Sequence, residues 1–221
     1  MTHTTRVWDL PTRIFHWALF ALIIAMVATG LTGGNAMVWH FRCGYAVLSL
    51  LLFRVVWGLI GGHWSRFASF IYAPGTLLRY LQGQGRPEHS VGHTPLGAGS
   101  VFALLFFLCV QVGTGLFSDD DIASSGPLSK FVSNAVVSSL TGYHKNIGKY
   151  IVLALVALHI SAIVFYLVKK KENLIGPMIH GDKLLVHQVE HSRDDARSRT
   201  LAAVVFASCA ALVGTMVKLA G

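Results

Sequence analysis

The chain has 221 residues, of which 53% are hydrophobic and 13% are charged, and its formal net charge is +8. A soluble domain carries about 25% charged residues, so this composition excludes an ordinary soluble globular protein. A nucleic-acid partner is not expected either, because the basic residues lie beside apolar runs, where membrane orientation and lipid headgroups account for them.

Apolar runs predict five transmembrane helices, each within the length range of a membrane span. They lie at 14–32, 40–61, 98–117, 146–168 and 200–220. Backbone polar groups inside a bilayer must be satisfied within the segment, which favours helices. We therefore expect an all-α integral membrane helical bundle that forms one domain over residues 1–221.

The segments between the runs differ in length and polarity. Residues 33–39 are so few that spans one and two are expected to be antiparallel neighbours. Residues 67–82 mix aromatic and leucine side chains with arginine and predict a segment lying along the membrane interface. A longer loop at 118–142 is expected to contain a short helix near 128–140, and 172–199 to form a polar segment. No internal repeat is evident.

Basic residues cluster on one side of the predicted spans. Arginines and lysines precede span one, lie between spans two and three, and lie between spans four and five, whereas Asp119, Asp120 and Asp121 lie on the opposite side. Because cytoplasmic loops carry an excess of Lys and Arg, the N-terminus is predicted to be cytoplasmic. The C-terminus would then lie on the outer side.

Four histidines fall within or at the ends of apolar runs, where titratable side chains are costly and usually functional. They are His16, His40, His144 and His159. The last two are 15 residues apart on one predicted helix, which is roughly 22 Å of rise. Counting along the spans puts His16 and His159 at one depth near the cytoplasm, and His40 and His144 at the other.

Two imidazoles at each of two depths suggest two metal centres, and two b-type haems are the simplest content. A single membrane histidine more often makes a helix–helix hydrogen bond. Zinc or copper also binds histidine, but neither explains two sites with two protein ligands each, whereas a porphyrin supplies four further nitrogens. Without a Cys-x-x-Cys-His sequence, covalently attached c-type haem is excluded.

Other polar residues give weaker signals. Arg54 lies deep in span two and is predicted to pair with a haem propionate, with an arginine that snorkels to the interface as the alternative. His63 is the main rival of His16 as a ligand. His187 and His191 have a spacing that suits a metal, although a solvated helix face explains it better. His93 is interpreted as a loop residue.

Several segments together resemble the bacterial dihaem cytochrome b561 group, which belongs to the superfamily of the b-type cytochrome subunits of nickel–iron hydrogenases. They are PTRIFHW (11–17), WHFRCGYAVLSLLLFRVVWGLIGG (39–62), GHTPLGAGS (92–100), VQVGTGLFSDDD (110–121) and YHKNIGKYIVLALVALHISAI (143–163). The resemblance covers roughly residues 7–183. It implies a four-helix core in the bacterial inner membrane that holds two bis-histidine b haems, whose ligands fall on His16, His40, His144 and His159. The fifth, C-terminal span lies outside the firmest match.

The leading functional hypothesis is a membrane electron carrier of the respiratory chain. It would exchange electrons with a quinone and with an extracytoplasmic partner such as a c-type cytochrome or a hydrogenase. A superoxide:quinone oxidoreductase is the alternative, and a non-redox subunit or transporter is a second alternative. The acidic cluster 119–121 would suit a basic cytochrome, whereas Arg42, Lys145 and Lys149 would attract superoxide. Iron with two histidine ligands has no open position, so oxygen binding is not expected.

Overall fold

The computed structural model describes residues 2–120 and 124–220, and the structure is 74% helical. The helices are α1 (Leu10–Thr32), α2 (Met37–Ile60), α3 (Pro74–Leu81), α4 (Pro95–Leu116), α5 (Asn134–Tyr143), α6 (Lys149–Phe165), α7 (Ile175–His180) and α8 (Ala196–Ala220). Among the described residues, five helical segments are long and apolar enough to cross a membrane. The predicted all-α membrane bundle is therefore confirmed.

The fourth apolar segment is much longer than predicted. The expected loop helix begins at Asn134 and continues through α5 and α6 to Lys170, so that the whole segment has 37 residues. Five residues of π-helix, His144–Gly148, join α5 to α6, and a second π-helical segment, Tyr166–Lys170, ends it. No proline interrupts residues 134–170, and the glycines within that range are not sufficient to break the helix.

Two compact units can be distinguished in the chain. The first comprises the residues up to His16, Arg54–Ala103 and Leu158–Val205. Its segment 172–199, which was expected only to be polar, contains α7 and a strand, β2 (Asp182–Leu185). This strand pairs antiparallel with β1 (His3–Arg6). Apolar residues beside the ribbon are buried, and Val7 has no exposed surface.

A buried carboxylate organises this first unit. Asp9 has no exposed surface and accepts hydrogen bonds from the Thr12 amide at 2.8 Å, the Ser65 hydroxyl at 2.7 Å, the Gly62 amide at 3.1 Å and the Trp57 indole at 3.2 Å. The bond from Thr12 is that of an N-cap residue to the third residue of its helix. Asp9 thus fixes the first turn of α1 against the chain that follows α2.

A second carboxylate, Asp194, pairs with three arginines in the same unit. Its oxygens lie 3.3 Å from Arg6, 3.7 Å from Arg13 and 3.0 Å from Arg199. Burial raises the pKa of Asp194, but hydrogen bonds from Arg199 and the Leu10 amide, with the charges of Arg199 and Arg6, outweigh burial and hold that pKa below its ordinary value.

The second unit comprises Trp17–Phe53, Leu104–Ala157 and the chain from Phe206 onward. Its core consists of buried aliphatic residues from α2, α4 and α6: Val47, Leu51, Leu108, Val112 and Val152. Many other apolar side chains stay exposed, such as Leu31, which is 71% exposed, and Leu212. Exposed apolar surface of this extent is what a lipid-facing helix presents.

Candidate functional site

Four imidazole rings form two close pairs. The ring centres of His16 on α1 and His159 on α6 are 6.3 Å apart, within the first unit. Those of His40 on α2 and His144, where the π-helical segment begins, are 6.2 Å apart, within the second unit. The structure therefore brings the four sequence-predicted residues together as the pairs that counting along the spans predicts.

The spacing within each pair fits two imidazoles on opposite faces of one metal atom. A metal–nitrogen bond of about 2 Å puts each ring centre about 3 Å from the metal, so the two ring centres would be about 6 Å apart. Each pair supplies two nitrogen donors, and the four nitrogens of a porphyrin would complete six-coordinate iron.

Hydrogen bonds determine which nitrogen of His40 and His144 is free to bind a metal. Nδ1 of His40 lies 3.0 Å from the Met26 carbonyl, and Nδ1 of His144 lies 2.9 Å from the Gln111 carbonyl. A carbonyl only accepts, so both Nδ1 atoms carry the proton and donate it. Nε2 is then left with its lone pair, which is the form that binds iron.

Two similar five-residue segments contact these two rings. Residues 26–30 read MVATG and residues 111–115 read QVGTG, and each begins with the residue whose carbonyl accepts from a histidine. The threonine hydroxyls, of Thr29 and Thr114, lie 3.4 and 3.5 Å from the histidine Nδ1 atoms and donate back to helix carbonyls. The two segments share valine, threonine and glycine at their second, fourth and fifth positions, a likeness too brief to stand out in the sequence.

The final glycine of each pattern permits the close approach of a ring. A Cβ atom added to Gly30 would lie 3.0 Å from Cε1 of His40, and one added to Gly115 would lie 2.9 Å from Cε1 of His144. Sequence reasoning missed both glycines. The available signal was glycine inside an apolar helix, which is costly unless another group packs closely there.

A cavity of about 420 Å³ adjoins His40 and His144 in the second unit. Charges of both signs line it, with Lys145 and Lys149 beside Asp119 and Asp120. Asp121, the third member of the predicted acidic cluster, lies outside the described residues. Arg42 packs its guanidinium 5.0 Å from the centre of the Trp39 ring. Most of the other residues that line the cavity are apolar, so it can accommodate a bulky apolar group beside the two imidazoles.

Arg54 lies in the first unit and is only 3% exposed. Its guanidinium carbon is 4.7 Å from the centre of the Phe67 ring, and the charge of Asp9 attracts it. In the described part of the chain its Nη1 atom is buried and has no hydrogen-bond partner. An unsatisfied, buried guanidinium nitrogen suits an incoming carboxylate such as a haem propionate.

Two other histidines of the first unit have different surroundings. His63, the rival ligand, has its Nδ1 3.0 Å from a carboxylate oxygen of Glu190. His93, interpreted as a loop residue, does lie in a loop, but its ring packs 4.3 Å from Phe70 and 4.7 Å from Trp8. Nothing in the sequence around His93 indicates that its side chain is enclosed.

One known protein family matches most of the chain. The profile of the family described as prokaryotic cytochrome b561 matches residues 7–181. The chain belongs to this family. It is therefore a b-type membrane cytochrome that takes part in electron transfer, and the family implies haem b as its cofactor. Membership of this family favours the electron-carrier hypothesis over the second alternative, a non-redox subunit or transporter.

Relatives of this b561 protein include proteins named probable Ni/Fe-hydrogenase B-type cytochrome subunit. The one from Bradyrhizobium diazoefficiens is 25% identical over 214 residues, covering 81% of this chain and 86% of the relative. The one from Rhizobium leguminosarum bv. viciae is also 25% identical and covers 80% of this chain and 88% of the relative. A shorter match, 22% identical over 143 residues, is to the probable Ni/Fe-hydrogenase 1 B-type cytochrome subunit of Escherichia coli; it covers 51% of this chain and 60% of the relative. No solved structure matches the chain.

Proposed function

We propose that two b haems would be held by the chain, one by His16 with His159 and one by His40 with His144. The observation that carries this proposal is the pair of ring-centre distances, 6.3 and 6.2 Å. In this proposal Arg54 binds a propionate of the haem held by His16 and His159. When bound, each haem supplies the one-electron redox chemistry, and the protein supplies its orientation and surroundings.

The protein's own groups have defined tasks in this arrangement. The Met26 and Gln111 carbonyls hold the Nδ1 protons of His40 and His144, which fixes the ring orientation and makes Nε2 a better donor. A haem iron held by two of these histidines would have no open position, so it would supply electron transfer and not ligand binding.

The chain is proposed to pass electrons between the quinone pool and a redox partner on the outer side of the bacterial inner membrane. The N-terminus would be cytoplasmic, as the distribution of Lys and Arg favours. His144 and His159 are 15 residues apart in one apolar segment, which suits a route through the membrane. The names of the relatives favour a hydrogenase as the partner, with a c-type cytochrome as another electron-carrying possibility.

Alanine substitutions test the ligand assignment. Purified wild-type protein is expected to contain about two haems per chain with a low-spin spectrum. His16→Ala and His159→Ala should each remove the same spectral component, and His40→Ala and His144→Ala the other. His63→Ala is the matched control and should keep both components. If His63→Ala loses a haem while His16→Ala keeps both, the pairing is wrong.

Liposomes that contain the protein and a quinone test the route. A membrane-impermeant reductant added on the outer side is expected to reduce both haems and then the quinone. In His159→Ala, the remaining haem should still be reduced, but quinone reduction should be far slower. Quinone reduction at the wild-type rate in this variant would show that both reactants meet the centre of His40 and His144.

A superoxide:quinone oxidoreductase is the second candidate. It is favoured by Lys145 and Lys149, which line the cavity beside His40 and His144 and would attract a small anion. Lys145→Gln with Lys149→Gln should then slow reduction by superoxide and make the rate less dependent on salt. A rate unaffected by both substitutions would leave the protein-partner hypothesis as the better one.

A further inference from the structure

A second cavity, of about 630 Å³, lies in the first unit, away from the residues assigned to haem. It is formed where α2 ends and α8 begins, which are the ends of two predicted spans. One part of its wall is positively charged and another part is apolar. Arg193 and Arg197 line one part, and Ile60, Leu201 and Val204 line another.

The spacing on α8 orders these side chains along the helix axis. Arg197, Leu201 and Val204 are separated by four and three residues, so they share one face of the helix. From the first to the last, the helix rises about 10 Å. Leu201 and Val204 are 45% and 57% exposed, although they point into a cavity rather than a packed core. A ligand that is charged at one end and apolar along its length matches this order.

The positive charge of the cavity favours a ligand with a negative charge. None of its lining residues is acidic, and two are arginines. Arg193 is paired at 2.8 Å with Asp195, but both side chains are more than half exposed, and such pairs are worth about 0–1 kcal/mol. In residues 2–120 and 124–220 no carboxylate lies within ion-pair distance of Arg197. A phosphate can therefore compete for both guanidinium groups.

We propose that this cavity binds an anionic phospholipid, with its phosphate at Arg193 and Arg197 and an acyl chain along Leu201 and Val204. Basic pockets between membrane helices, on the side that carries the positive loops, suit anionic headgroups. The lipid would bridge the end of α2 and the start of α8. This proposal is independent of the haem assignment and of the electron route.

Lipid titration of the delipidated, haem-loaded protein by native mass spectrometry tests it. Wild-type protein should bind one phosphatidylglycerol in preference to phosphatidylcholine. R193Q/R197Q should bind it about 30-fold more weakly, the equivalent of about 1 kcal/mol for each lost charge. K169Q/K170Q removes two lysines from the same basic side and should bind within twofold of wild type.

Three outcomes would overturn the proposal. The first is equal weakening of binding in both double variants, which would indicate general electrostatic attraction. The second is unchanged binding in R193Q/R197Q. The third is displacement of the lipid by inorganic phosphate at equal concentration. The visible spectrum checks that R193Q/R197Q is folded. If it is not, R197Q alone breaks no ion pair and should weaken binding about fivefold, or about 1 kcal/mol. Unchanged binding in R197Q would be equally decisive against the site.

Discussion

Gly115→Ala is expected to disturb the centre that we assign to His40 and His144. The added Cβ atom would lie 2.9 Å from Cε1 and 3.2 Å from Nδ1 of the His144 ring, well inside ordinary van der Waals contact. The ring cannot turn away freely, because its Nδ1 donates to the Gln111 carbonyl at 2.9 Å. Either the ring or the helix must move.

The expected size follows from the cost of overpacking. One extra methyl group in a packed site costs about 1–3 kcal/mol. If that strain falls on the bond between His144 and iron, haem affinity falls about 5- to 150-fold, since 1.4 kcal/mol corresponds to a factor of ten. Any part of the strain that differs between ferric and ferrous iron shifts the midpoint potential, by about 59 mV for each factor of ten.

Gly113→Ala is the matched control. It makes the same change on the same helix, but nothing lies within 4 Å of the added Cβ atom. It also gives the second copy of the five-residue pattern the alanine that the first copy has at Ala28. Helix propensity rises similarly in both variants, so the difference between them reports contact with His144.

Haem content and a redox titration followed by visible spectroscopy distinguish the outcomes. Gly115→Ala should lose or shift one of two components, the one that His40→Ala removes, and Gly113→Ala should keep both. If Gly115→Ala retained two haems with wild-type potentials, the His144 ring would not be held by iron in this position. The ligand assignment would then fail for this pair.

Three further predictions concern polar groups. Thr114→Val should keep the haem but raise one midpoint potential by about 20–40 mV, because the Nδ1 proton of His144 loses its second acceptor. Thr114→Ser should restore the wild-type potential. Equal potentials in all three proteins would contradict a role of the Thr114 hydroxyl. Arg54→Gln should lower the potential of the other haem, since removal of a positive charge favours ferric iron; an unchanged redox titration would refute the propionate contact. The stability due to Asp194 is present above the ordinary carboxyl pKa and lost as pH falls through the lowered pKa of the folded state. The Tm should therefore fall more steeply between about pH 7 and about pH 3 in wild type than in Asp194→Asn. Equal falls in Tm in the two proteins would contradict this.

The proximity of the histidines within each pair could be predicted because helices have a fixed rise. Counting residues from the ends of the spans places His16 level with His159, and the structure brings these rings to 6.3 Å. Whether they bind iron stays a prediction. The groups that hold the rings could not be found by counting, since Gly115 and the Gln111 carbonyl act through the way in which two helices face each other.

The ends of elements were harder to predict than the spans. The π-helical segment His144–Gly148 leaves no mark in hydropathy, so the predicted loop helix and span four are one continuous segment in the structure. Asp9 was also missed, because a lone aspartate before a helix indicates a cap and not a buried acceptor of four groups. Pairing of β1 with β2 depends on residues about 180 positions apart, which no local pattern links.

The acceptors for the Nδ1 protons of His40 and His144 are main-chain carbonyls, at Met26 and Gln111. Point mutation changes side chains and leaves these oxygen atoms in place. A substitution at position 26 or 111 therefore leaves the acceptor of the ring's hydrogen bond in place, although at position 111 it would remove the bond that the Gln111 amide donates to the His144 carbonyl at 3.0 Å. If this pair holds a haem, the redox potential would be tuned through neighbouring side chains, whereas the orientation of the two rings follows from the backbone.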